Sequence, residues 1–395
     1  TVHKVVVEKG KAATFTSKEI PLVSVKVTKS WDDQSNKYKI RPTSITAYLY
    51  SGTSESNMTK TSTAVTLNAG NSWTQTVDKL PQTKADGTRI YYSFKEADVP
   101  ANYKETVSAV KPNANNTGYE VTITNKIQLG KGKVQKASTY TTITGGNTHY
   151  ALTGAEYTIY TDQACKSEAI CDGKLITTSS GATNEVELVP GTYYVKETKA
   201  PNGYKLDPKV YTAVVTADKT TTVTSKDVPL VSLTVKKVWE DKNNKFQIRP
   251  TSLTVYLYSG GAANSLSKTD RYVTLNAGNN WTATINDLPQ TDDNGNTIYY
   301  SFKEDQVPLH YEQSVADTKM NTAKTGYDVT ITNTLPTGYG QVQKVSFDTT
   351  LTNGNSKYPL NGAEYTIYTD QACTKKATYE GTMTTMTDGK SNAIE

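Results

Sequence analysis

The segment VSVKVTKSWDD, residues 23–33, decides how this chain is read. Val23, Val25, Val27, Lys29 and Trp31 fall on one face of an alternating pattern, and a period of two marks a half-buried strand. The segment returns as VSLTVKKVWED at 231–241, an offset of 208 residues with almost no gaps. RPTSITAYLYSG from Arg41 returns from Arg249 as RPTSLTVYLYSG, and GAEYTIYTDQAC from Gly154 returns unchanged from Gly362. A long period of this kind marks modules in series. Arrays of β-modules usually supply length and display surface, so a structural or adhesive role is the first expectation.

Other segments alternate in the same way. Ile45, Ala47 and Leu49 share a face, with Tyr48 and Tyr50 opposite. Ile90, Tyr92, Phe94 and Glu96 share another, as do Val121, Ile123 and Asn125. Turns such as ADG at Ala85 and NAGN at Asn68 separate them. Thr, Val and Tyr are abundant and Leu- or Ala-rich helical stretches are missing, so the fold class is all-β. Short alternating strands packed into roughly a hundred residues predict antiparallel Ig-like or prealbumin-like β-sandwich modules in an elongated array.

The 395 residues carry a net charge of +5 spread over many lysines and acids. No basic cluster with interleaved aromatics argues for nucleic-acid binding, and no apolar run reaches membrane-spanning length. The start, TVHKVVVEKG, lacks the features of a signal peptide. Cys165, Cys171 and Cys373 are the only cysteines. Cys165 and Cys171 could bridge, but the repeat sets Cys171 against Tyr379, and incidental thiols are the favoured expectation.

One period holds two module types. The expected divisions are 1–22, the tail of a preceding second-type module; 23–127, first type; 128–229, second type; 230–335, first type; and 336–395, a second-type module cut short. The chain thus reads as a window on a longer array. IPLVS from Ile20 and VPLVS from Val228 join modules without a Gly/Ser linker, and Pro21 and Pro229 fix φ there. Such joints predict stiffness.

The alternation exposes an anomaly. Lys29, Glu96 and Asn125 all lie on apolar faces, and the second copy repeats this with Lys237, Glu304 and Asn333. Burying any one of them alone costs several kcal/mol, so their joint recurrence suggests that they meet. Desolvation lowers the proton affinity of a lysine amine and raises that of a glutamate. A neutral amine is a nucleophile, and a protonated Glu can hydrogen-bond an Asn carbonyl and stabilise the developing oxyanion. Folding supplies the proximity. The expected product is an intramolecular Lys–Asn amide with loss of ammonia, made without external enzyme, cofactor or metal.

The segments around these residues, together with YSFKEADVPANY and VTITN, resemble the CnaB-type (B-repeat, prealbumin-like) domains of Gram-positive surface adhesins and pilins. The intervening module, with GKVQKAS, LTGAEYTIYTD and GTYYVKETKAPNGYKLD, resembles the related SpaA-type pilin domain. The most specific shared string is E-x-x-x-P-x-x-Y, present as Glu96…Pro100…Tyr103, Glu197…Pro201…Tyr204 and Glu304…Pro308…Tyr311. The resemblance implies Lys29–Asn125 and Lys237–Asn333 cross-links, assisted by Glu96 and Glu304. It also implies Lys136 and Glu197 as lysine and acid of the SpaA-like module, whose last strand offers Asp227 where Asn is usual. A Lys136–Asp227 amide would lose water instead. Glu19 holds the corresponding place in the N-terminal tail, and Lys344 starts a fourth site.

Blander readings exist for single residues. A strand lysine often snorkels from an edge, and Glu or Asn near strand ends often satisfies turns. Trp31, Trp73, Trp239 and Trp281 recur by the same offset and are expected as core plugs rather than sugar platforms. His3, His149 and His310 are scattered without metal spacing, and LPTG at Leu335 lacks the extra residue of a sortase signal.

The expected function is a stalk or spacer of an extracellular, cell-wall-anchored Gram-positive adhesin or pilus-type protein, with no catalysis on an external substrate. The expected partners are neighbouring repeats of the same monomeric chain and, through a distal domain, host extracellular matrix or glycan. Two alternatives stay open: direct matrix or glycan binding by these modules, and an accessory stalk of a secreted polysaccharide-degrading enzyme.

Overall fold

The computed structural model describes residues 4–395, so His3 lies outside the described residues. The chain divides into two compact units, residues 1–135 with 155–199 and 208–224, and residues 136–154 with 200–207 and 225–395. Among the described residues no helix is long and apolar enough to cross a membrane.

In the first unit, residues 4–21 form no regular element and are exposed. The first repeat follows, with strands β1 (Leu22–Asp32), β2 (Ser44–Ser54), β3 (Asn57–Asn68), β4 (Thr74–Pro81), β5 (Tyr91–Glu96), β6 (Tyr103–Val107), β7 (Lys111–Pro112) and β8 (Gly118–Ile127). One sheet runs β4-β1-β8-β6, with β7 also on β8, and the other runs β3-β2-β5. β1 and β8, the first and last strands, are parallel neighbours, with Val27 opposite Val121 and Trp31 opposite Asn125. The inward residues of both sheets form one core that includes Val25, Val27, Ala47, Leu49, Leu67, Phe94, Val121 and Ile123. The alternation read from 23–33 is thus a burial alternation, with Val23, Val25, Val27 and Lys29 buried.

The second module type begins with β9 (Gly130–Ser138), β10 (Glu156–Tyr160), β11 (Leu175–Ile176), β12 (Val186–Leu188), β13 (Gly191–Lys199), β14 (Val210–Val215) and β15 (Thr220–Asp227). Its sheets run β11-β10-β13-β14 and β12-β9-β15. Its core in the first unit includes Val134, Tyr157, Leu175, Leu188 and Val195. Tyr38, Tyr103 and Ile127 pack with Leu129 and Val189 where the two modules join, and Lys37 Nζ lies 2.6 Å from Asp172 Oδ2. All three cysteines are free thiols.

The second unit holds the second repeat: β16 (Leu230–Glu240), β17 (Ser252–Ala262), β18 (Ser265–Asn276), β19 (Thr282–Pro289), β20 (Tyr299–Glu304), β21 (Glu312–Val315), β22 (Lys319–Met320) and β23 (Gly326–Thr334). The sheet orders β19-β16-β23-β21 and β18-β17-β20 reproduce the first repeat. Ile143, Tyr150 and Tyr204 join its core cluster beside Val231. The Pro229 joint is braced: Tyr150 Oη donates to the Leu230 carbonyl at 2.8 Å, Leu230 N–H to Gly203 O and Gln290 N–H to Pro229 O. Residues 336–395 carry β24 (Glu364–Tyr365) and β25 (Met383–Thr384).

The close parallel pairing depends on two glycines. A Cβ on Gly118 would meet Ser24 Oγ at 2.2 Å and Ser24 O at 2.4 Å, and one on Gly326 would meet Ser232 Oγ at 2.1 Å. Gly118→Ala or Gly326→Ala should therefore lower the urea stability of its repeat by about 1–3 kcal/mol through overpacking. Gly261→Ala, with open space around it, should leave the unfolding midpoint unchanged.

Candidate functional site: a buried lysine, glutamate and asparagine in each repeat

Lys29 lies near the end of β1, and its backbone N–H donates to Trp73 O at 2.8 Å. Asn125 lies on the adjacent β8, two residues along in register from Ile123, which sits opposite Lys29. Glu96 ends β5 on the facing sheet, opposite Ala47 of β2, and its side chain reaches across the core. Alternation turns all three inward: the side chains of Lys29 and Glu96 are fully enclosed, and Asn125 is 0% exposed.

The three groups meet. Lys29 Nζ lies 3.5 Å from Glu96 Oε1, and Asn125 Nδ2 donates to Glu96 Oε2 at 3.0 Å. The amine also donates to Ser30 O at 2.8 Å and lies 4.1 Å from the centre of the Trp31 ring. The second repeat gives 3.6 Å for Lys237 to Glu304, 3.1 Å for Asn333 to Glu304 and 4.2 Å for Lys237 over Trp239. Asn125 Oδ1 and Asn333 Oδ1 are buried without a hydrogen-bond partner. The sequence suggested a Glu–OH bonded to the Asn carbonyl, whereas here the amide NH2 faces the acid, as suits a carboxylate. A half-turn of the amide presents Oδ1 to the same oxygen, as suits the protonated acid.

Burial dominates the electrostatics. It lowers Lys29 and Lys237 to about 8, against the pull of Glu96 and Glu304 that favours the ammonium. Burial raises Glu304, opposed by the Asn333 amide and the Lys237 charge. The site therefore brings a weakened ammonium, an acid and a carboxamide together where water is excluded.

A second buried cluster braces each site, and the sequence reading missed it. Asp33, at the end of the first strand, accepts from Arg41 Nε at 2.9 Å and from Tyr103 Oη at 3.0 Å. Burial opposes its charge, but the hydrogen bonds from Arg41, Asn36 and Tyr103 prevail and lower its pKa. Trp31 packs edge-on against Trp73 and Tyr103, with centroids 5.2 and 5.1 Å away. Asp241, Arg249, Tyr311 and Trp239 repeat the arrangement. The recurring E-x-x-x-P-x-x-Y string is thereby explained: Tyr103 N–H closes a turn on Pro100 O, and its hydroxyl anchors the chain seven residues after the acid. The shared offset of Asp33, Arg41 and Tyr103 was the available signal.

In the second module type, Lys136 and Asp227 form a fully enclosed ion pair in the second unit. Glu197, in the first unit, is 1% exposed on β13. Tyr204 Oη donates to the Tyr150 carbonyl, so its anchor is neutral. Glu19 is exposed and Lys344 half-exposed. Among the described residues no group of three or more His, Cys, Asp or Glu side chains could hold a metal.

The family models agree with this architecture. The Cna protein B-type domain matches residues 25–126 and 233–334, and the SpaA prealbumin-like fold domain matches 139–229. A collagen adhesin of Staphylococcus aureus is 29% identical over 301 residues, covering 74% of this chain and 22% of that protein. Two B repeat units of the collagen-binding protein of the same organism align at 24% identity and TM-score 0.24, covering 80% of this chain and 76% of that one. The minor pilin of Streptococcus agalactiae aligns at 15% identity and TM-score 0.23, covering 52% of this chain and 95% of that one.

A depressed lysine leaves a mark on stability. When Asn125→Ala and Asn333→Ala are combined, no Lys–Asn amide can form and both amines stay titratable. Between the folded value of about 8 and the ordinary 10.5, the unfolded chain binds more protons, so stability must rise with pH. A gain of about 1–2 kcal/mol per repeat is expected from pH 8 to about 9.5, before tyrosine ionisation near 10 opposes it. Denaturant unfolding at stepped pH measures this, and a flat profile would mean amines of ordinary basicity. With both its repeats matched over their length and its intervening module matched beside them, the chain belongs to the Cna protein B-type domain family.

Proposed function

We propose that the chain is a stalk segment of an extracellular, cell-wall-anchored Gram-positive adhesin or pilus-type protein, and that each repeat welds its first strand to its last by an autocatalytic Lys–Asn amide. The observation that carries this reading is the contact of Lys29, Glu96 and Asn125 in a closed core, made twice.

The chemistry balances within the site. A proton passes from the Lys29 ammonium to Glu96, leaving a neutral amine and a neutral acid. The amine attacks the Asn125 carboxamide carbon while the Glu96 O–H steadies the carbonyl oxygen. The C–N bond to the amide nitrogen breaks, protons relayed through Glu96 complete ammonia, and a secondary amide joins the two side chains. Enclosure favours each step, because it weakens the ammonium and keeps water from competing. In the second module type the enclosed pair Lys136–Asp227 would condense with loss of water.

A stalk role follows from where the weld lies. β1 and β16 begin the repeats and β8 and β23 end them, so tension entering one strand of a pair and leaving the other would pass through the amide. By analogy with a disulfide, closing a loop of roughly a hundred residues would also add up to about 5 kcal/mol. The braced Pro229 joint suits load transfer between modules. Host matrix would be bound through a distal domain. The collagen adhesin relative, of which this chain spans 22%, supports host matrix as the partner class.

Intact mass under denaturing, reducing conditions tests the reading. It should fall short by one ammonia for each repeat, and by one water if Lys136 and Asp227 condense. Glu96→Ala should restore one ammonia. Correctly folded protein of unmodified mass would eliminate the welds.

A further inference from the structure

Two positions facing the site differ between the repeats: Ala47, opposite Glu96, is Val255 opposite Glu304, an apolar exchange, and the other exchange alters charge. β6 pairs with β8 so that Glu105 lies opposite Asn125, and β21 pairs with β23 so that Gln313 lies opposite Asn333. Opposed residues share a face of the sheet, and Asn125 faces inward, so Glu105 does too. It is half-buried, and its Oε1 accepts from the backbone N–H of Glu96 at 3.3 Å. The charged groups facing it are Lys29 on β1 and Glu96 on β5, with Asn125 as the polar neighbour on β8; Lys95, on the outer face of β5, acts from farther off. Burial raises the Glu105 carboxyl, as does the Glu96 charge, while the Glu96 N–H and the Lys29 and Lys95 charges oppose. Gln313 is the neutral isostere in the same register, beside Glu304.

We infer that Glu105 is a tuning residue, a second carboxyl that sets the pH range over which the first repeat closes its amide, and that Gln313 removes this control from the second repeat. The inference rests on the proposed welding reaction. The reactive form of Lys29 and Glu96 holds one shared proton: neutral amine, protonated acid. Adding a second proton blocks the amine as ammonium, and removing the only one leaves no acid. An ionised Glu105 makes addition easier and removal harder, so both limbs of the rate profile move to higher pH. Neither bond change is altered. The Lys29 amine still displaces ammonia from Asn125, and Glu105 acts only through the charge it presents to the pair.

The test follows both welds in the full chain. Chain collected in guanidinium directly from in vitro synthesis, with unmodified mass at time zero, is refolded by dilution at stepped pH and quenched in acid. Peptide masses around Lys29 and Lys237 then give the ammonia lost by each repeat. The first repeat's rate profile should lie above the second's by about one pH unit. Glu105→Gln should bring the two together, and Gln313→Glu should raise the second to match the first. Because each substitution copies the sister repeat's own residue, folding is expected to survive, and a packing role alone would change rates without moving the pH dependence. Coincident profiles in the unaltered chain, or a displacement that survives Glu105→Gln, would overturn the inference and leave the welds standing. Absence of ammonia loss at both repeats would overturn both.

Discussion

A lysine ammonium enclosed with a carboxylate in an apolar sandwich is the constraint around which each repeat is arranged. An ion pair at such depth costs several kcal/mol per ion in desolvation, and its own attraction often fails to repay that. Well-packed apolar residues of similar volume would commonly serve stability as well. The positions of Lys29 and Glu96 therefore make little sense as stabilisers of an unreacted fold. The proposed amide between Lys29 and Asn125 would account for them, because it would remove the buried charge that makes the site costly. In that reading, folding energy from the surrounding valines, leucines and Phe94 holds the reactants in place, and the reaction relieves the strain of having enclosed them.

Topology decides what such a bond can do. In this sandwich the first and last strands are parallel neighbours at the centre of one sheet, while the acid comes from the other sheet. Parallel strands at the two ends of a module are loaded in shear when the chain is pulled. A covalent tie between them leaves the intervening strands, loops and hairpins outside the path of force. The Asp33–Arg41–Tyr103 cluster joins Asp33, just past the end of β1, to Tyr103, the first residue of β6, seven residues after Glu96. It fixes both approaches to the site, and it recurs in the second repeat with nearly the same distances.

Much of this was legible in the sequence, for a physical reason. A strand has a period of two, so an inward register can be read from its apolar members, and Lys29, Glu96 and Asn125 each fall on such a register. The 208-residue repeat then turns three separate oddities into one constellation seen twice. What resisted reading were contacts that alternation does not report. Asp33 lies beyond the alternating run, Arg41 lies in a loop, and Tyr103 follows a turn, so nothing in their spacing brings them together. Glu105 was hidden because its strand is short and lies at a sheet edge, where a half-buried acid looks like ordinary surface. Which end of the Asn125 amide meets Glu96 was likewise beyond the sequence, since a half-turn about one bond exchanges donor and acceptor without moving the backbone.

The most direct measurement is tandem mass spectrometry of the protein digested after full denaturation, searching for a branched peptide that joins the segment around Lys29 to the segment around Asn125. A branch at those two residues, lacking one ammonia, with its twin at Lys237 and Asn333, is the predicted result. Recovery of the four segments only as separate linear peptides, each of unmodified mass, would contradict it.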